Sequence, residues 1–226
     1  MTETANPRDG GGLRGSPVRV LLPLLLLCGC SMVDLRSEQP DVSRFALDYE
    51  PPSPAGARLP GVTVGVRDFH CSGAYATDCM VLVRAGEGLQ TVTSLNRWSQ
   101  QPGYTVPDLL SRDMVEAGFL EGVYRGLPGA VDYTVDGAIR EFGGREMAGV
   151  WYAVIDLDLA FTRDRSGGSG EVFATWRTYR FETALDGDGF GSLAEAMSRT
   201  MRDVSAAVLE DLADWMASDP GAAPPR

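Results

Sequence analysis

The side chains of this sequence best able to do chemistry are four cysteines and a single histidine. Two of the cysteines, Cys28 and Cys30, end an apolar run that begins at Val20 and follows an arginine-containing start. A run of about nine residues is typical of an export signal, because a membrane span needs about 20. Leu27, Cys28, Gly29 and Cys30 have the order of a lipobox. We therefore expect Cys30 to become the lipidated N-terminus, with a diacylglycerol on its thiol and acyl chains such as palmitate.

An ordinary signal peptide or a buried apolar N-terminus is the alternative interpretation of the same segment. Ser31 follows Cys30 where lipoproteins retained at the inner membrane often carry aspartate. We therefore expect a lipid-anchored protein on the periplasmic face of the outer membrane. Several acyl chains hold a protein stably on a bilayer, whereas a single chain binds only marginally.

Cys71 and Cys79 form the second cysteine pair and lie beside His70, the only histidine. In an oxidising compartment this spacing predicts a disulfide that closes a loop of about nine residues. Two independent buried thiols are the alternative. A metal site is less favoured, because the spacing is too long for a CxxC pair and one histidine supplies few ligands.

The composition excludes several classes of partner. The formal net charge is −11, and all 20 positive side chains are arginine. An acidic surface argues against nucleic acid and against electrostatic adhesion to anionic lipid. Removal of 29 from 226 residues leaves about 197, enough for one well-buried domain.

Alternating apolar residues predict a sheet over most of the mature chain. We expect short strands at 45–49 and 62–66, a hairpin joining 80–83 to 89–93, and three long strands. The long strands run from Val131 to Arg140, from Trp151 to Phe161 and from Val172 to Phe181, the last two joined by a glycine-rich turn at 166–170. The first two are predicted to be antiparallel partners.

Two helices are predicted to cover this sheet. The first is expected to start near Thr105 and Pro107 and to end at Gly118, since threonine caps and glycine terminates helices. The second is predicted to begin with a capping box, Ser192 with Glu195. Its apolar stripe recurs every three or four residues: Leu193, Met197, Met201, Val204, Val208, Leu212 and Trp215. The expected fold is α/β, a mixed and largely antiparallel sheet with two main helices in an α/β sandwich.

Motifs for catalysis are missing from the sequence. There is no GxSxG elbow, no phosphate-binding glycine loop and no credible metal cluster, so no catalytic residue, metal or cofactor is expected. Asp186 and Asp188 hint at a calcium loop, but Phe190 and Met197 stand where oxygen ligands are required, which favours a turn. Trp98 is interpreted as filling a gap between sheet and helix rather than binding a partner.

Several short segments, in order, resemble the family of ABC-type transport auxiliary lipoproteins, the PqiC-like group. After the lipobox come Phe45-Ala46-Leu47, Val62-Thr63-Val64, the stretch Met80 to Arg84, Asn96-Arg97-Trp98 with Pro102, Asp108-Leu109-Leu110, Tyr133-Thr134-Val135 and Ile139-Arg140-Glu141-Phe142. An amphipathic C-terminal helix completes the resemblance. The Cys71/Cys79 pair and Gln100-Gln101 depart from the family pattern.

The resemblance implies a non-enzymatic subunit of a lipid-transport system of the cell envelope. Its partners would be a periplasmic MCE-domain protein and, indirectly, an inner-membrane ABC transporter or an equivalent complex. The partner-binding residues are unknown at this stage, and self-association into a homo-oligomer stays open. The alternative is a structural adaptor lipoprotein in outer-membrane assembly, for lipopolysaccharide or β-barrels; an anchored enzyme is a third candidate.

The expected organisation has four parts. Residues 1–29 form the signal peptide, and residues 30–42 form the lipidated tether. Residues 43–217 form a single domain, and residues 218–226 form a disordered, proline- and alanine-rich tail.

Overall fold

A curled sheet built around one long central strand organises the protein. The computed structural model describes residues 41–53, 59–84, 86, 89–126, 131–163 and 173–219. The strands are β1 (Ser43–Phe45), β2 (Leu59–Val66), β3 (His70–Cys71), β4 (Cys79–Arg84), β5 (Leu89–Trp98), β6 (Leu120–Arg125), β7 (Tyr133–Met147), β8 (Val150–Arg163) and β9 (Ala174–Ala184). The helices are α1 (Pro102–Ala117) and α2 (Gly189–Ser218), and a 3-10 turn spans Gly73–Ala76.

Strand β7 has different neighbours on its two edges. On one edge it pairs antiparallel with β8, which pairs antiparallel with β9. On the other edge β2, β3 and β4 follow one another along β7, all parallel to it. Beyond them, β6 pairs with β2, β5 pairs with β4, and β1 pairs with β5. The predicted α/β fold with a mixed sheet and two main helices is confirmed.

Close approach of β4 to β7 depends on a glycine. A Cβ atom added at Gly143 of β7 would collide with the backbone carbonyl oxygen of Val81 in β4. A side chain there would push the two strands apart, because a backbone atom cannot turn away as a side chain can. Glycine at this position therefore allows β7 to pair along both edges.

Helix α1 begins three residues before its predicted cap, so the predicted start at Thr105 is wrong. Pro102 occupies the first turn, where its missing N–H costs nothing. Pro107 then lies inside the helix and cannot donate to the carbonyl of Gly103. That carbonyl accepts the Phe69 N–H instead, at 3.0 Å. The tertiary bond compensates for the proline, and Gly118 ends the helix with φ 66° as predicted.

Helix α2 supplies most of the cover on one face of the sheet. All seven residues of the predicted apolar stripe are buried, which confirms its orientation. The predicted capping box is wrong, because the helix already begins at Gly189 and places Ser192 inside its first turn. Residues 186–188 form a turn ahead of the helix, as expected. Trp98 is buried and meets Phe142 edge to face at 5.3 Å, so it fills the core as predicted.

Two expectations fall on parts of the chain that the structure does not describe. The predicted glycine-rich turn at 166–170 lies outside the described residues, and so does the C-terminal tail from residue 220. Within the described ranges no helix is both long and apolar enough to cross a bilayer.

Candidate partner-binding surface

Cys30, the expected lipidation site, lies outside the described residues, which begin at residue 41. Residues 45–49, in the first described segment, are held to the folded body by hydrogen bonds, and we call this arrangement the clamp. Phe45 in β1 accepts the Ser99 N–H at 2.7 Å, and the Asp48 N–H donates to Ser198 Oγ in α2 at 3.0 Å. A chain arriving from the tether is therefore tied to both the sheet and α2.

A buried carboxylate extends the same clamp. Asp113 of α1 is fully buried and accepts from Tyr49 Oη at 2.6 Å, from Ser205 Oγ at 2.5 Å and from Arg112 Nε at 2.8 Å. The Arg112 guanidinium also lies 4.4 Å from the centre of the Tyr49 ring. Burial, followed by the bond to Asp113, raises the pKa of Tyr49 well above its ordinary range. This cluster joins three segments and serves structure rather than catalysis, since neighbouring donors occupy its carboxylate.

Cys71 and Cys79 are both free thiols in the structure. The Cys71 thiol faces the backbone of Gly103 at the start of α1, and burial raises its pKa to about 11. A thiol held so far in its neutral form is a poor nucleophile. The predicted bridge is not present here and stays a prediction. His70 is exposed on β3, and the described part of the chain contains no group of three or more metal-ligating side chains.

The sheet face opposite the helices carries a network of charges. Glu141 of β7 and Asp156 of β8 are both buried, and Arg180 of β9 donates to each, at 3.0 and 2.9 Å. Arg145 and Arg140 complete the network by binding Glu141 and Asp156. Burial by itself lowers the pKa of Arg180, but hydrogen bonds to carboxylates outweigh it and hold that pKa above its ordinary value. These charges neutralise one another and hold the three long strands together.

An apolar crevice opens at the end of the sheet where β4 ends, β8 begins and α2 starts. We call it the Trp151 crevice. Its volume is about 200 Å³, and a smaller depression of about 130 Å³ adjoins it beside Leu82 and Thr91. The apolar side chains that line the crevice are Leu82, Trp151, Leu185, Phe190 and Leu193. A space of this size suits one or two apolar side chains of a partner, the arrangement found at binding hot spots.

A larger crevice, of about 440 Å³, follows the seam between residues 46–50 and α2. Its lining is mixed, with the acidic Asp48 and Glu50 facing the basic Arg199 and Arg202. It lies along the clamp of the N-terminal segment. The Trp151 crevice therefore has the more suitable lining for docking an apolar side chain.

Trp176 of β9 is the most exposed large apolar residue on the described surface, at 71%. It lies on the same sheet face as the charge network, and its cross-strand neighbour is Ala160 of β8. Two other aromatic residues of these strands are covered: Phe161 is buried, and Phe181 is partly buried against the core.

Comparison with known families identifies this architecture. The model for the ABC-type transport auxiliary lipoprotein component matches residues 45–208. The chain belongs to this family. The match spans β1 through most of α2, so it includes the clamp, the charge network and the Trp151 crevice. The chain is thus an auxiliary lipoprotein component of ABC-type transport, as the resemblance implied.

Solved structures show the same fold. Protein XCC0632 from Xanthomonas campestris has 17% sequence identity and a TM-score of 0.67, covering 78% of this chain and 98% of that protein. A second crystal structure, of an uncharacterised protein, has 14% identity and a TM-score of 0.56, covering 76% and 99%. None of the curated proteins matches this chain.

Sequence reasoning missed the Trp151 crevice and the Asp113 cluster. Trp151 continues the apolar alternation of β8, but it stands at the strand end, where it is only partly covered. Tyr49 and Asp113 are 64 residues apart, and no local pattern links them. Only an unexpected aspartate among the apolar positions of α1 could have drawn attention to the cluster.

Proposed function

We propose that this protein is the outer-membrane-anchored, non-catalytic docking subunit of an ABC-type lipid-transport system. Cys30 carries the lipid, residues 30–42 are the tether and residues 43–217 form the docking body. The partner is a periplasmic MCE-domain protein that conducts lipid, coupled to an inner-membrane ABC transporter or an equivalent complex. The match of the auxiliary lipoprotein family to residues 45–208 carries this proposal.

The contact with the conduit is assigned to the Trp151 crevice. An interface depends mainly on a few apolar anchors in a desolvated pocket, and exposed charge pairs contribute little. The crevice offers apolar walls, whereas the charges on the opposite sheet face already bind one another. A partner side chain inserted between Trp151 and Phe190 would gain burial without breaking an ion pair.

Site-specific photocrosslinking in intact envelopes tests the proposal. A photoreactive amino acid at Thr91, on the rim beside Trp151, is expected to capture an MCE-domain protein. The matched control is Val115 on α1, which is 58% exposed and remote in sequence from every lining residue. Capture of a β-barrel outer-membrane protein from Thr91, with no MCE protein, would replace the proposal with the adaptor role in outer-membrane assembly.

A second experiment tests the anchor independently of the partner. Metabolic labelling with a radioactive fatty acid is expected to mark the native chain and to leave the Cys30→Ala variant unmarked. Equal incorporation into both would show that the lipid is attached elsewhere. Fractionation of the labelled envelopes then distinguishes the outer from the inner membrane.

A further inference from the structure

The open edge of β9 is the longest regular strand edge in the described part of the chain. β9 runs for 11 residues and pairs with β8 without a register shift. On its other side it has no strand partner among the described residues. Proteins usually protect such edges with bulges, prolines, short strands or charged side chains. Of these, β9 has only the charges of Arg177, Arg180 and Glu182, and all three already form ion pairs within the chain.

The pattern of backbone bonds shows which groups face this edge. The Arg163 N–H donates to the Phe173 carbonyl, and the Leu185 N–H donates to the Trp151 carbonyl. In an antiparallel ladder, hydrogen-bonded and non-bonded pairs alternate, so odd-numbered residues of β9 direct their backbone groups towards β8. Even-numbered residues, from 174 to 184, direct theirs to the open edge. Exposed arginine side chains contact the carbonyls of Trp176 and Ala184, and solvent can replace these contacts.

We propose that the edge of β9 pairs antiparallel with β9 of a second copy, about a two-fold axis at Tyr179. This register matches residue n with residue 358 − n of the partner. It places the six even-numbered residues from 174 to 184 opposite the same six residues of the second copy. Each backbone N–H and C=O on the open edge then has a hydrogen-bond partner. An axis shifted by one residue to Thr178 leaves the groups of Ala184 unpaired.

The side chains are compatible with this symmetry. A two-fold interface is self-complementary, so each pair occurs twice. The register sets alanine against alanine at the ends, threonine against threonine next, and then Trp176 against Glu182, Arg177 against Phe181 and Thr178 against Arg180. No like charges stand directly opposite, a pairing that would destabilise the ladder.

The two Arg180 residues become diagonal neighbours, but their repulsion is limited because each is already bonded to Glu141, Asp156 and Glu182 of its own chain. One further observation favours a second copy. The exposed Trp176 gains cover, because Arg180 of the facing strand lies diagonally across from its ring, where cation–π attraction favours the contact. The dimer thus covers an aromatic surface that the monomer leaves open.

Paired cysteines at the two ends of β9 test the register. Ala174 and Ala184 are about 34 Å apart on one strand, too far for a bridge within a chain. In the dimer Ala174 lies opposite Ala184 of the second copy, with Cα atoms about 5.5 Å apart. Each single variant, Ala174→Cys or Ala184→Cys, is made with Cys71 and Cys79 replaced by serine. Neither is expected to crosslink alone, whereas co-expression of both in intact envelopes should give a covalent dimer.

A second variant leaves the native cysteines in place. The Thr178 N–H faces the open edge, so Thr178→Pro removes no backbone bond to β8. It does remove the bond from Thr178 Oγ1 to Asp158 of β8, and Thr178→Val is the matched control that removes this bond alone. The full-length lipoprotein in detergent is expected to sediment as a dimer and Thr178→Pro as a monomer, with the far-ultraviolet circular dichroism unchanged. A native chain that sediments as a monomer, or cysteine variants that crosslink to another protein, would overturn the proposal.

Discussion

Replacement of Asp113 by alanine is expected to destabilise the fold more than almost any other single polar substitution. The carboxylate is fully buried and accepts hydrogen bonds from Tyr49, Ser205 and Arg112. Its loss leaves the hydroxyl groups of buried Ser205 and partly buried Tyr49 without their carboxylate acceptor. Removing one partner of a buried bond costs more than the bond contributes, because the remaining group stays desolvated.

The magnitude follows from these contacts. Each hydroxyl bond to a buried carboxylate contributes about 1.5 kcal/mol, since charge-assisted bonds are the stronger kind. The Arg112 side chain is 35% exposed, so solvent screening limits its part to about 0.5 kcal/mol. Together these give a loss of about 3 to 4 kcal/mol, a large fraction of the 5–15 kcal/mol typical of a domain.

Urea unfolding of the full-length protein in detergent measures this loss. Tyr49→Phe should cost only about 1 kcal/mol, because Asp113 keeps two donors. The double variant Asp113→Ala/Tyr49→Phe should lose about 1 kcal/mol less than the sum of the two single losses, because both substitutions remove the same hydrogen bond. Asp186→Ala is the control: this carboxylate is 80% exposed, and its removal should change stability by less than about 0.5 kcal/mol.

Hydrogen exchange provides an independent measurement of the clamp. Loss of the carboxylate should speed exchange at the Asp48 N–H, which is bonded to Ser198 in the native protein. The reasoning is refuted if Asp113→Ala costs less than about 1 kcal/mol and exchange at Asp48 is unchanged.

Other substitutions and conditions test separate parts of the structure. Gly143→Ala should destabilise the fold by about 2 kcal/mol or more, because the added Cβ would meet a backbone carbonyl of β4. Gly191→Ala is the control: it lies in the first turn of α2 with open space around it, and it should stabilise the fold by up to about 1 kcal/mol in the same urea assay. The Cys71 thiol has a pKa of about 11 instead of 9.0, so in the native protein it should alkylate about a hundredfold more slowly at pH 8 than a free thiol. If the denatured protein is alkylated only after reductant is added, the cysteines form the disulfide instead. Burial, and then a hydrogen bond to Asp219, raises the pKa of Tyr133 from 10.0 to about 12. Folding favours its neutral form, so this stabilisation is complete below pH 10 and is lost as the pH rises towards 12. Tyr133→Phe should flatten the alkaline part of the stability curve, and an unchanged curve would contradict this assignment.

Helices and strands whose apolar residues recur regularly were predictable from the sequence alone. The stripe from Leu193 to Trp215 and the alternation along β7 and β8 predict elements that the structure contains, because burial of one face imposes a period that local sequence records. The family resemblance was also visible in short segments from Phe45 to Phe142.

The starting points of the elements and the contacts between distant residues depend on the folded chain. Helix α1 starts at Pro102 because the Phe69 N–H, from another segment, takes the carbonyl that Pro107 leaves unpaired. The Asp113 cluster joins Asp113 to partners 64 and 92 positions away. The Trp151 crevice forms where the end of β4 and the start of β8 meet the start of α2. Such contacts depend on how the chain closes on itself, so local periodicity carries no record of them.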